Sequence, residues 1–223
     1  MKYKIKWHYA FSIVYFLLAS IEIFAELFSF SFLSLCIRIL QPLVLVLLYF
    51  SITKKHNPLF YLMLLLLLFS NVLFFYRNSE LFFYGILMFM LLRIVSLLII
   101  FKATKEKNYL HITVATFPFL VIFFYLISAG IDISEFEFNT LVLQSILIAV
   151  LAGISITNYF KEDNRQHSWL LISTLLFIGL RFIVFIERFI VSDISLSINR
   201  PIGVILATFA FYTFYKYVIA AEQ

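Results

Sequence analysis

The chain has 223 residues, of which 64% are hydrophobic and 13% charged, with a formal net charge of +5. A soluble domain is about half apolar and about a quarter charged, so water would not tolerate the surface this composition makes. The lone cysteine, Cys36, excludes an intrachain disulfide and a multi-cysteine metal site.

Apolar runs of bilayer-crossing length, about 20 residues each, recur along the chain. Their pattern predicts helical spans at Tyr9–Phe28, Leu33–Ile52, Leu59–Tyr76, Leu81–Phe101, Leu110–Ala129, Phe138–Tyr159, Trp169–Val191 and Pro201–Ala220. The fold class expected is therefore all-α, a polytopic integral membrane bundle of about eight transmembrane helices in a single domain over residues 1–223. No Gly/Ser-rich linker, internal repeat or soluble domain interrupts it.

The first span follows a basic start, MKYKIKWH. No small-x-small cleavage site precedes Glu22 and a second span follows at once, so it is expected to stay as a helix rather than leave as a signal peptide. Spans one and two are separated only by a turn near Ser29–Ser31. Lys2, Lys4, Lys6, Lys54, Lys55, Lys102, Lys105, Lys107, Lys161, Arg165 and Lys216 all fall at one set of helix ends. The other set is acidic, with Glu80, Asp132, Glu135, Glu137 and Asp193 against Arg77 and Arg200. Positive loops stay in the cytoplasm, which predicts cytoplasmic termini and the inner cell membrane of a bacterium. Trp7, Tyr9, Tyr159 and Trp169 suit the interfacial belt. Basic residues at helix ends are a topology signal, so no nucleic-acid partner is expected; membrane lipids are.

Ionisable residues at membrane depth mark function or helix pairing. Glu26 and Arg38 flank the first turn almost symmetrically, so an antiparallel pair brings them to one level. Glu22 and Glu26 share a helix face at a spacing of four, and Arg181 and Arg188 share one at seven. Glu22, Asn71, Arg93 and Arg181 are expected near mid-membrane, with Glu26, Glu187, Arg188 and Arg200 nearer one side. Two readings stand at this point. The groups are structural ion pairs holding helices together, or they line a polar pocket for a lipid headgroup or phosphate. No histidine pair has metal-ligand spacing, and no GxSxG, P-loop or GxGxxG is present, so neither a metal nor a cofactor is expected.

Four stretches resemble the YhhN-like family, which includes the lysoplasmalogenases. Gln41-Pro42-Leu43 matches a Lys-Pro-Leu near the second span. Leu66 to Phe75 matches an FSxxGD-type stretch, with Asn71 at the Asp position. Gly85 to Ser96 matches a Gly…His stretch, with Arg93 at the His. Gly179 to Arg188 matches a Gly…Ser-Asp stretch, with Glu187 at the second Asp; Pro201 and Tyr215 to Ile219 resemble the family's ending. The resemblance runs over about residues 33–220 and implies an eight-span bundle that hydrolyses the vinyl ether of a lysoplasmalogen. It implies catalytic roles for Glu187, for Glu22 or Glu26 in place of a missing carboxyl, and for the position of Asn71. It implies substrate binding by Arg93, Arg181, Arg38 and Arg188. Asn71 cannot donate a proton as a carboxyl does. That departure keeps a non-catalytic lipid- or amphiphile-binding relative, or a small transporter or scaffold, in play.

Overall fold

The structure is a computed structural model that describes residues 2–53, 56–75, 79–104, 108–130, 135–162, 164–189 and 196–222, with side chains at 2–6, 79, 80, 82, 135–137, 188 and 196–198 excepted. Every element among the described residues is an α-helix. In chain order they are α1 Lys2–Leu27, α2 Ser31–Ile52, α3 Pro58–Phe75, α4 Ser79–Ala103, α5 Tyr109–Ser128, α6 Glu135–Lys161, α7 Arg165–Phe189 and α8 Leu196–Glu222. All eight are long and apolar enough to cross a membrane. A helix closes its backbone hydrogen bonds within itself, which is what a solvent without hydrogen-bonding partners demands. Pro42, Pro118 and Pro201 sit inside helices, as spanning helices tolerate.

The helices extend past the apolar runs at several ends, and asparagines explain three of the starts. Asn57 Oδ1 accepts the Leu59 N–H at 3.0 Å, just before Pro58 opens α3. Asn108 Oδ1 accepts from His111 N at 3.4 Å, and Asn164 Oδ1 from His167 N at 2.8 Å. Each side chain satisfies a donor that the first turn leaves open. Hydropathy marks the apolar stretch, whereas the cap marks where the helix begins. The expected end of the seventh span at Val191 lies outside the described residues.

The α1–α2 turn is short because the chain reverses through a left-handed residue. Ser29 has φ 59°. Around it Phe30 N bonds the Ala25 carbonyl at 2.8 Å and Ser29 N bonds that of Glu26 at 3.3 Å. These are the paired bonds of a Schellman C-cap. The turn sets the register at which the charges of the hairpin meet.

The chain divides into two compact units. One holds residues 1–99 with the last three residues; the other holds 100–220. In the first, α1 packs on α2 and α2 on α3. Its core holds Tyr15, Leu45, Leu48, Tyr49, Phe60 and Met63. In the second, α6 packs on both α5 and α7. A Cβ at Gly153 would stand 2.0 Å from Thr116 Oγ1 and 2.7 Å from the Ile112 carbonyl oxygen, so α5 and α6 meet there at backbone contact. Phe177 packs edge-on against Phe211 at 5.1 Å between α7 and α8.

Candidate functional site

In the first unit, the polar residues of α1, α2 and α3 form one connected network. Arg38 Nε donates to Glu22 Oε1 at 2.9 Å, and Arg38 Nη2 to Glu26 Oε1 at 2.8 Å. Gln41 Nε2 donates to Glu22 Oε2 at 2.9 Å, and Ser34 Oγ donates to Glu26 Oε1. Asn71 Nδ2 donates to the backbone carbonyl of Arg38 at 2.9 Å, tying α3 to the same point. The expected Glu26–Arg38 ion pair is present, and Glu22 joins it from the turn above.

Two carboxyls meet one guanidinium here. The Glu22 side chain is 4% exposed and the Glu26 side chain 11%. Three of the four carboxylate oxygens accept a hydrogen bond; the fourth, Oε2 of Glu26, accepts none among the described residues. A buried charge left unbalanced is costly in an apolar surround. The network therefore carries one carboxyl more than the cation it holds.

Three of the candidates are placed along their helices as follows. Glu22 lies five residues before the end of α1, and Asn71 four before that of α3. Those spacings correspond to about 8 and about 6 Å of helix. Arg93 is near the middle of α4, where it is buried and lies over the Phe89 ring at 5.1 Å.

In the second unit, Arg181 Nη1 donates to Gln144 Oε1 at 2.8 Å, and Nη2 donates to the Leu141 carbonyl oxygen at 3.4 Å. Both acceptors are neutral groups of α6. Arg200 Nε meets Glu187 Oε1 at 3.2 Å, with the two side chains 46% and 24% exposed. An ion pair that open contributes little, about 0–1 kcal/mol. The Arg188 side chain lies outside the described residues. Arg77, Asp132 and Asp193 also lie outside them, as do the side chains of Glu80, Glu135 and Glu137.

The sequence reading missed a third cluster. The hydroxyl of Tyr49 donates to Glu222 Oε1 and accepts the Asn57 N–H at 2.8 Å. Tyr61 and His56 share a hydrogen bond at 2.9 Å beside it, and His56 stacks on Phe50. Glu222 belongs to the first unit, so the chain's end is fastened to the α2–α3 connection. The available signal was a tyrosine at the end of an apolar span beside a histidine-asparagine loop. Ser34 was also missed, because a serine in an apolar run gives no sign of its partner.

The fold and these networks define a class: an all-helical, multi-pass membrane protein with polar networks inside its spanning-length helices. No family model matches the chain, and no curated protein or solved structure matches it either.

Proposed function

We propose that this is a lipid-handling membrane protein of the YhhN-like type that acts on the vinyl ether of lysoplasmalogens. The observation that carries the reading is the surplus carboxyl of the α1–α2 network. A purely structural ion pair would balance its charges. Here Glu22 and Glu26 share Arg38, and Oε2 of Glu26 has no donor among the described residues. The chemistry wants such a group. Protonating the vinyl carbon is the hard step and needs a general acid. The oxocarbenium-like cation that follows is stabilised by a carboxylate, which also activates water. Water adds, and the hemiacetal collapses to a fatty aldehyde and a glycerophospho-alcohol.

In this reading the Glu22–Glu26 pair supplies the acid–base carboxyl, in place of the one that Asn71 lacks at the position the family resemblance assigns. Arg93, at a position the family resemblance assigns, provides a cationic group for the headgroup. The protein sits in the inner cell membrane of a bacterium with both termini in the cytoplasm, as the Lys/Arg distribution favours. The test is detergent-purified protein with a lysoplasmalogen. Aldehyde release that Glu26→Gln lowers at least about 100-fold supports the assignment, since general acid catalysis contributes about that much. No release from wild-type protein rejects the activity.

A second reading, a non-catalytic amphiphile-binding relative, is favoured by Asn71 itself. Its amide is spent on the Arg38 carbonyl at 2.9 Å, a positioning contact rather than a catalytic one. Lysolipid binding without aldehyde release selects it.

A further inference from the structure

Arg181 differs from Arg38 and Arg200 in what it meets. Arg38 meets two carboxylates and Arg200 meets one. Arg181 meets none among the described residues; its two hydrogen bonds go to an amide oxygen and a backbone carbonyl. Neutral acceptors orient a guanidinium without cancelling its charge. Arginine keeps that charge at any working pH and presents a planar fork of donors suited to phosphate. Most of those donors remain available once Gln144 and Leu141 are served.

The surroundings are those an amphiphile needs. Leu141, whose carbonyl takes one of the bonds, belongs to a buried apolar cluster with Ile127 and Phe185. Phe182, next in the chain to Arg181, stacks on Phe123 at 5.6 Å. A fixed cation thus borders an apolar wall built by α5, α6 and α7. Gln144 holds the guanidinium in place from α6, so little side-chain freedom is lost when an anion arrives.

We propose that Arg181, oriented by Gln144 and the Leu141 carbonyl, is the receptor for the phosphate group of an anion-bearing amphiphile. This deepens the lipid-handling reading by naming the headgroup chemistry, but it does not depend on hydrolysis. The phosphate belongs to a lysophospholipid or is free inorganic phosphate, and the two sources separate experimentally.

The experiment measures binding to the full chain in detergent, by thermal shift and native mass spectrometry. The probes are lysophosphatidylethanolamine, a monoacylglycerol of the same chain length, and inorganic phosphate. Lysophosphatidylethanolamine is expected to bind at least about tenfold tighter than the monoacylglycerol, and Arg181→Gln to remove that preference, as losing a charged hydrogen bond does. Displacement by inorganic phosphate identifies the free ion as sufficient; no displacement identifies the amphiphile. Gln144→Leu keeps the charge but removes the acceptor that orients it, so the headgroup preference is expected to weaken without vanishing. It also serves if Arg181→Gln does not fold. Equal binding of the two amphiphiles overturns the proposal. So does a preference that persists in Arg181→Gln, or one that Gln144→Leu leaves unchanged. Aldehyde release is read separately: its loss in Glu26→Gln with headgroup binding intact bears on the hydrolysis alone.

Discussion

The α1–α2 hairpin and the α6–α7 pair treat buried charge in opposite ways. In the hairpin two carboxyls share one arginine, and Ser34 and Gln41 supply further donors. Between α6 and α7 one arginine faces, among the described residues, only neutral oxygens. The first network has an acid to spare and the second a cation to spare. Buried charge is tolerated inside a bilayer when it is paired or used, so the two imbalances are the places where a role beyond packing is to be tested. The difference also separates two roles for arginine: Arg38 holds helices together, whereas Arg181 is itself held.

The sharpest way to break the comparison is to remove both arginines in turn. Arg38→Gln leaves two buried carboxyls without their cation and is expected to cost about 3–5 kcal/mol, the penalty for breaking a buried pair from one side. Thermal unfolding in one detergent reads it. Next come the carboxyls. Glu22 has donors on both oxygens and is the more buried, so Glu22→Gln, which turns one acceptor into a donor facing Arg38 or Gln41, is expected to lose about 1–3 kcal/mol. Glu26→Gln leaves a one-to-one Glu22–Arg38 pair and is expected to lose about 1 kcal/mol or less. Equal losses would show that the two carboxyls are not distinguished as their hydrogen bonds suggest. Arg181→Gln is expected to be smallest, within about 1 kcal/mol of wild type, because no carboxylate is stranded when it goes. A loss matching that of Arg38→Gln would merge the two cases.

Much of this was legible before the structure. A tight turn between two apolar runs forces an antiparallel pair, so Glu26 and Arg38, nearly equidistant from Ser29, must reach the same level. The i, i+4 spacing then adds Glu22. These inferences need only the rise of a helix and the position of a turn. What stayed hidden depends on how helices rotate about their axes and slide past neighbours. Hydropathy does not fix either, since lipid-facing and buried positions are alike apolar. Gln41 reaching Glu22, Asn71 reaching the Arg38 carbonyl and Gln144 reaching Arg181 all depend on that rotation. So does Tyr49 meeting Glu222, at a sequence separation of 173 residues. The helix starts at Pro58, Tyr109 and Arg165 were hidden for another reason: an apolar count ignores the asparagine that caps the first turn.

The most direct test of the account is made on Glu26→Gln, in one preparation, by thermal unfolding and by aldehyde release from a lysoplasmalogen. The account predicts a folded protein within about 1 kcal/mol of wild type, with release lowered at least about 100-fold because an acid-base carboxyl has gone. A folded Glu26→Gln protein that releases aldehyde at the wild-type rate would contradict it, leaving the surplus carboxyl of the hairpin a structural feature alone.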